Sequence, residues 1–179
     1  MWIGQHALGG KRQKQYGMPM FDFAPLPGQS KAETYRDLTQ AAQALIAGEP
    51  DPVANMANVA ALLWQMLPTL NWAGFYRNVE DELVLGPFIG KPACIRIPFG
   101  SGVCGTAAAS GLTQLVADVH AFPGHIACDA ASQSELVVPV VRDGKVIAVI
   151  DLDSPEKARF DEEDAQGIEA LALAIAEAI

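Results

Sequence analysis

Ser134-Glu135-Leu136-Val137-Val138-Pro139-Val140-Val141-Arg142-Asp143-Gly144-Lys145-Val146-Ile147-Ala148-Val149-Ile150-Asp151-Leu152-Asp153 carries two β-branched, aliphatic runs on either side of a short polar segment. That pattern predicts a β-hairpin turning at Arg142, Asp143 and Gly144. Along the second run the period of two places Asp151 and Asp153 on one face, continuing the row of Ile147 and Val149, with Leu152 opposite. Two carboxylates closing an otherwise apolar row are unusual. Where Glu135 falls depends on the turn. A three-residue loop with Gly144 left-handed pairs Val141 with Lys145 and sets Glu135 directly opposite Asp151, whereas a two-residue loop sends Glu135 to the other face. On the first register three acids cluster where one wall of a pocket should be. Like charges so close raise one another's pKa and leave at least one able to donate a proton near neutrality. The spacing alone fits equally well with acids at the solvated end of a strand.

Outward from the hairpin, the periodicity changes from two to 3.6. Tyr35, Leu38, Ala42, Leu45 and Ile46 recur three and four apart and predict a helix from Lys31 to Ala47, stopped by Gly48 and Pro50. Asp51 caps a second helix, with Pro52 in its first position and Met56, Val59, Leu62, Leu63 and Met66 as its stripe. Asn71 to Arg77 predicts a strand paired with Glu82 to Gly86 across an acidic turn, and Cys94 to Pro98 and Leu115 to Val119 predict further strands. Gly102 to Ser110 reads as a short buried helix, and a last helix starts at Asp161 and carries Ile168, Leu171 and Ile175. The order is helix, helix, several antiparallel strands with a helical insertion, helix. It predicts an α+β fold with helices on one face of a central antiparallel sheet and a pocket on the other.

The chain has 179 residues, enough for one domain with a proper core. Residues 1–29 mix glycine, proline and the basic trio Lys11, Arg12 and Lys14 without sustained apolar period, and read as a flexible, solvated N-terminal arm before a domain spanning 30–179. Twelve Lys and Arg against 21 Asp and Glu leave a net charge of −9, so the average surface repels a phosphate backbone and nucleic acid is not an expected partner. No apolar run approaches the roughly 20 residues of a membrane span. Three cysteines, an odd number, behind no leader-like segment argue against a secreted disulfide framework. A reducing, cytoplasmic compartment is expected.

Gly100-Ser101-Gly102-Val103-Cys104-Gly105 has the spacing of a dinucleotide-binding turn. The helix it opens is too short for a βαβ crossover, and Asp118 follows too soon to bind a ribose. A close-packed turn beside a small pocket is the better reading. In Phe122-Pro123-Gly124-His125-Ile126-Ala127-Cys128-Asp129, by contrast, a thiol lies in a Pro/Gly loop where it is reachable and its pKa can be tuned. Cys128 is therefore the first candidate nucleophile. Cys94 and Cys104 each also read as core packing, the commonest fate of a free cysteine. Trp72 and Tyr76, four apart on one strand face, fit both a plain core and a pocket wall that holds a cation or a soft sulfur group. A metal site of His120, His125 and Cys128, and a cysteine hydrolase built on His125 and Cys128, are weaker alternatives because the spacing is unspecific.

Asn71 to Tyr76, Leu85-Gly86-Pro87-Phe88, Gly102 to Gly105, Asp118-Val119-His120, Gly124 to Asp129, Ser134 to Pro139 and Asp151 to Ser154, together with the spacing of Cys94, Cys104 and Cys128, resemble the free methionine-(R)-sulfoxide reductases, GAF-domain enzymes, over about residues 30–179. The resemblance implies reduction of free L-methionine (R)-S-oxide to methionine with thioredoxin as reductant. It implies Cys128 as the nucleophile that becomes a sulfenic acid, Cys94 as the resolving thiol, and Cys104 as a third thiol whose role stays open. Glu135, Asp151 and Asp153 are similar to the family's acidic cluster, and Trp72 and Tyr76 would wall the methyl group and thioether. No metal or organic cofactor is required. A GAF sensor that binds a small ligand without turnover is the alternative. The terminal helix, through Leu171 and Ile175, is left either to pair with a second copy or to cover the sheet.

Overall fold

The computed structural model describes residues 28–126 and 129–179. Its elements are α1 (Lys31–Ile46), α2 (Pro52–Met66), β1 (Trp72–Val79), β2 (Glu82–Gly90), β3 (Arg96–Pro98), α3 (Gly102–Ser110), β4 (Gln114–Val116), β5 (Ser134–Arg142), β6 (Lys145–Ser154) and α4 (Glu162–Ile175), with a 3₁₀ turn at Val119–Ala121. Residues 1–27 of the arm expected at 1–29, and Cys128, lie outside the described residues.

Helix starts follow local chemistry. Ser30 accepts from the Glu33 N–H while the Glu33 carboxylate accepts from the Ser30 N–H, a reciprocal cap that Asp161 and Asp164 repeat at α4. Asp51 accepts from the Val53 and Ala54 N–H groups ahead of α2. The predicted stripes become the core. Leu38, Val59, Leu63, Ile168, Leu171 and Ile175 are fully buried against Ala73, Phe75, Leu136, Val138, Ile150 and Leu152 of the sheet. Leu171 and Ile175 therefore cover the sheet and are not left over for a second copy.

The strands form one antiparallel sheet in the order β3-β2-β1-β6-β5-β4. Helices α1, α2 and α4 pack on one face; α3 packs on the other, within a second apolar cluster that contains Trp72, Tyr76, Val137 and Val149. The insertion helix is thus a wall of the pocket face. No βαβ unit exists among the described strands, which settles the glycine motif structurally. A Cβ on Gly105 would meet the Pro98 carbonyl oxygen at 2.4 Å, so that glycine serves the close approach of α3 to the end of β3. Strand β4 ends at Val116, and the chain then enters the 3₁₀ turn, earlier than the predicted strand end at Val119.

The β5–β6 turn differs from the expected three-residue loop. Asp143 (φ 52°) and Gly144 (φ 73°) are both left-handed, and Arg142 pairs with Lys145 across a two-residue turn. Alone, that register would face Glu135 toward the helices. A bulge corrects it: Val141 pairs with Val146 but Val140 with Ala148, leaving Ile147 as the extra residue. Ile147 consequently packs toward the helix side and leaves the row of Val149, Asp151 and Asp153 in which periodicity had placed it. Beyond the bulge Glu135 lies opposite Asp153, and Val137 opposite Asp151, so Glu135 returns to the acidic face but faces Asp153 rather than Asp151.

Gly105→Ala is expected to lower stability by roughly 1–3 kcal/mol, because the new methyl must push backbone away from backbone. Urea denaturation with an unchanged m-value and a lower midpoint checks this.

Candidate active site

On the face opposite the helix layer, β1, β5, β6, α3 and the segment before β5 enclose a cavity. Strand alternation delivers Trp72 and Tyr76 from β1, Glu135 from β5, and Asp151 and Asp153 from β6, all five into its lining. Cys104 enters from the first turn of α3, and His125 and Ile126 from the loop. The structure therefore brings together Trp72, Tyr76, Cys104, Glu135, Asp151 and Asp153. Cys94 sits apart from the lining, half-buried at the margin of the pocket-side apolar cluster, between β2 and β3.

Trp72 and Tyr76 are nearly fully buried, and their rings stack at 5.8 Å between centroids. Phe88 of β2 stacks on Trp72 at 5.2 Å, and the indole N–H donates to the Lys91 carbonyl at 3.2 Å. Trp72 is thus held by rings on both sides and has its polar atom satisfied.

The acids are buried as well. Glu135 and Asp151 are each 6% exposed. Burial, then the neighbouring Asp151 and Asp153 charges, push the Glu135 carboxyl well above its usual range. Burial raises Asp153 in the same way, with Asp151 and Asp129 adding repulsion. Asp151 is pushed up to about 7 by burial, against hydrogen bonds with Cys104 and Glu135 that favour its charge. The cluster accordingly holds protons at neutral pH that exposed carboxylates would have lost. Cys104 Sγ lies 3.9 Å from Glu135 Oε1, and burial followed by the carboxylates' charge raises its thiol well above the ordinary value. It is a protonated thiol, not a ready thiolate. Burial lowers the His125 pKa, with His120 adding to the effect. Its Nε2 lies 3.8 Å from Glu135 Oε2.

Four residues to which the sequence reading assigned no role support the rim. Asp129 accepts from Lys91 Nζ at 3.0 Å and from the Ala131 N–H, while Asn71 Nδ2 donates to Ser132 Oγ at 2.9 Å and to Asp129 Oδ2 at 3.3 Å. Ser132 in turn hydrogen-bonds Asp153. They are loop or strand-end residues with no period to betray them; the only available signal was the position of Asp129 next to Cys128. Among the described residues, the metal-ligand grouping is Cys104, Glu135 and Asp151, with donor atoms all within 4.8 Å of one another; the set of His120, His125 and Cys128 considered from sequence includes a residue outside the described ones. His120 and His125 stand edge to face with ring centroids 6.5 Å apart.

A six-stranded antiparallel sheet with terminal helices on one face and a buried small-molecule cavity on the other defines a GAF domain, and the GAF domain family matches residues 56–179. Comparison narrows the class. The chain is 54% identical over 142 residues to the free methionine-R-sulfoxide reductase of Escherichia coli, covering 79% of this chain and 86% of that protein. It is 44% identical over 154 residues to the Saccharomyces cerevisiae enzyme of the same name, covering 82% and 86%. The X-ray structure of the Neisseria meningitidis free methionine-R-sulfoxide reductase in complex with its substrate superimposes with a TM-score of 0.82 at 45% identity, covering 88% of this chain and 95% of that one. The chain belongs to the free methionine-R-sulfoxide reductase family of GAF-domain proteins.

The raised carboxyl groups have a measurable sign. A carboxyl whose folded pKa exceeds its unfolded value binds more protons when folded, so stability falls as pH rises between the two values, for Asp151 from 3.8 to about 7. Asp151→Asn should flatten that part of the stability–pH curve. Denaturation midpoints of both proteins from pH 4 to 8 test this; parallel curves would refute it.

Proposed function

We propose that the protein reduces free L-methionine (R)-S-oxide to L-methionine through Cys128, with reducing equivalents returned by thioredoxin. The observation that carries this reading is the cavity itself: a stacked aromatic wall facing the buried Glu135 and Asp151 and the half-buried Asp153, whose carboxyls are held above their usual range. A sulfoxide presents a methyl group and soft sulfur to the rings and a basic oxygen to the acids. The Cys128 thiolate attacks sulfur and forms an S–S bond as the S–O bond breaks, with the acid cluster supplying the proton that oxygen needs to leave as hydroxide. Attack of that hydroxide on Cys128 Sγ then breaks the S–S bond, methionine departs with the electron pair, and Cys128 is left as a sulfenic acid. Condensation with the Cys94 thiol forms a disulfide and releases water, and a dithiol of the thioredoxin class then takes the oxidising equivalents. The net change is sulfoxide plus two thiols to thioether, disulfide and water.

The remaining side chains fit those roles. Cys104, buried and protonated beside Glu135, suits neither attack nor rapid exchange, which supports Cys128 as nucleophile. Cys94 is more exposed than Cys104, as a thiol that must meet an external reductant should be. Charged members of the acid cluster would pair with the substrate ammonium. The amide nitrogen of a methionine sulfoxide within a peptide offers no such charge, so the cavity favours the free amino acid.

Incubation with the (R)- and (S)-sulfoxides of free methionine and dithiothreitol, with methionine quantified, is the direct test. Turnover of the R form alone is expected; no turnover of it would overturn the proposal and leave a ligand-binding GAF domain. Cys128→Ser should abolish turnover, while Cys94→Ser should allow one equivalent of methionine per protein and then stall with thioredoxin. Asp151→Asn should lower kcat by roughly 10²–10⁴-fold, the usual worth of a positioned acid.

A further inference from the structure

We propose that the reduced protein binds a thiophilic divalent cation of the zinc type through Cys104 Sγ and one carboxylate oxygen each of Glu135 and Asp151, and that this cation competes with the substrate. The binding site stands on geometry; only the competition rests on the reductase reading.

Three donors from three different elements converge: Cys104 from α3, Glu135 from β5 and Asp151 from β6, all buried and within 4.8 Å of one another. The Cys104 Sγ to Glu135 Oε1 separation is 3.9 Å. Zinc–sulfur and zinc–oxygen bonds of about 2.3 and 2.0 Å at tetrahedral angles place ligand atoms roughly 3.5 Å apart, so side-chain rotation of a few tenths of an ångström to about 1 Å closes the site. An independent observation points to a ligand. Asp151 Oδ1 is buried and has no hydrogen-bond partner among the described residues, although the side chain is 6% exposed overall. An acceptor desolvated without a donor is costly, and a bound cation would satisfy this one. Nor does the chain provide one: among the described residues no lysine or arginine forms an ion pair with Glu135, Asp151 or Asp153.

The donor set selects the kind of ion. Magnesium and calcium require six or more oxygen ligands, whereas one thiolate with two carboxylates suits a borderline-soft ion in a four-coordinate site with an open position. Coordination replaces the thiol proton of Cys104 and the protons held on the Glu135 and Asp151 carboxyls that bind, all of which pass to solvent, and involves no electron transfer. The fourth position is left to water or to His125, whose Nε2 is already 3.8 Å from Glu135 Oε2. A cation so placed neutralises the carboxylates that would otherwise receive the substrate ammonium and oxygen.

The test is titration of the reduced full-length protein, free of dithiothreitol, with Co²⁺ as a spectroscopic stand-in for Zn²⁺. A saturable one-to-one thiolate-to-cobalt charge-transfer band in the near ultraviolet is expected. Cys104→Ser should remove the band, Asp151→Asn should weaken binding at least tenfold, and Cys94→Ser and Cys128→Ser should leave it in place; circular dichroism confirms that each variant is folded. No saturable binding, or a band that survives Cys104→Ser, would overturn the site. In turnover assays Zn²⁺ should raise KM without changing kcat, and noncompetitive inhibition or none would overturn the competition. Should the protein reduce no sulfoxide at all, the cobalt spectra still decide the site.

Discussion

Everything in this molecule depends on β5 and β6 being two-faced. Their alternate residues supply apolar packing to the helix layer, Leu136, Val138, Ile150 and Leu152, while the residues between them supply Glu135, Asp151 and Asp153 to the cavity. Because β6 lies between β1 and β5 near the middle of the sheet, neither face can slip without unpairing both neighbours. Burial on the helix face thereby fixes the acids on the other. Repulsion within the acid cluster opposes the fold, but the helix-side core is anchored by α1, α2 and α4 and holds the strands in register against it.

The bulge at Ile147 shows how narrowly the site is set. A tight Asp143-Gly144 turn matches strand twist and closes the hairpin well, but its register alone would put Glu135 among the core side chains of the helix face. One extra residue restores the parity. It also moves Ile147 out of the pocket face, so the apolar row above the acids begins with Val149. Turn and bulge are thus a coupled pair in which the favourable turn is retained and the functional face recovered.

Much of this was legible in the sequence, and the failures have identifiable physical causes. Helix starts at Ser30, Asp51 and Asp161 and the stripes of α1, α2 and α4 are local, strongly periodic signals, and α3 follows from small residues bounded by glycines. Trp72 and Tyr76 shared a face by simple alternation. The pairing of Glu135 with Asp153 was not legible, because a bulge is decided by cross-strand packing and not by the residue that forms it. Asn71, Lys91, Asp129 and Ser132 were given no role for a related reason: they act through contacts between residues 38 to 61 positions apart, and no periodicity encodes such contacts.

The three thiols are best understood through the environments that separate them. In water they would be nearly equivalent acids; in this chain burial beside carboxylates keeps Cys104 protonated, while Cys94 lies partly exposed between two strands, outside the cavity lining. A carboxylate cluster that can protonate a leaving oxygen is a poor neighbour for a thiolate, since each negative charge within it raises the cost of the next. The attacking sulfur must therefore reach the substrate from a direction other than the acids, with the sulfoxide held between them. In the proposed reaction the aromatic wall holds the methyl group and the acids take the oxygen, and the thiol assigned to the attack, Cys128, is next in sequence to Asp129 of the cavity lining.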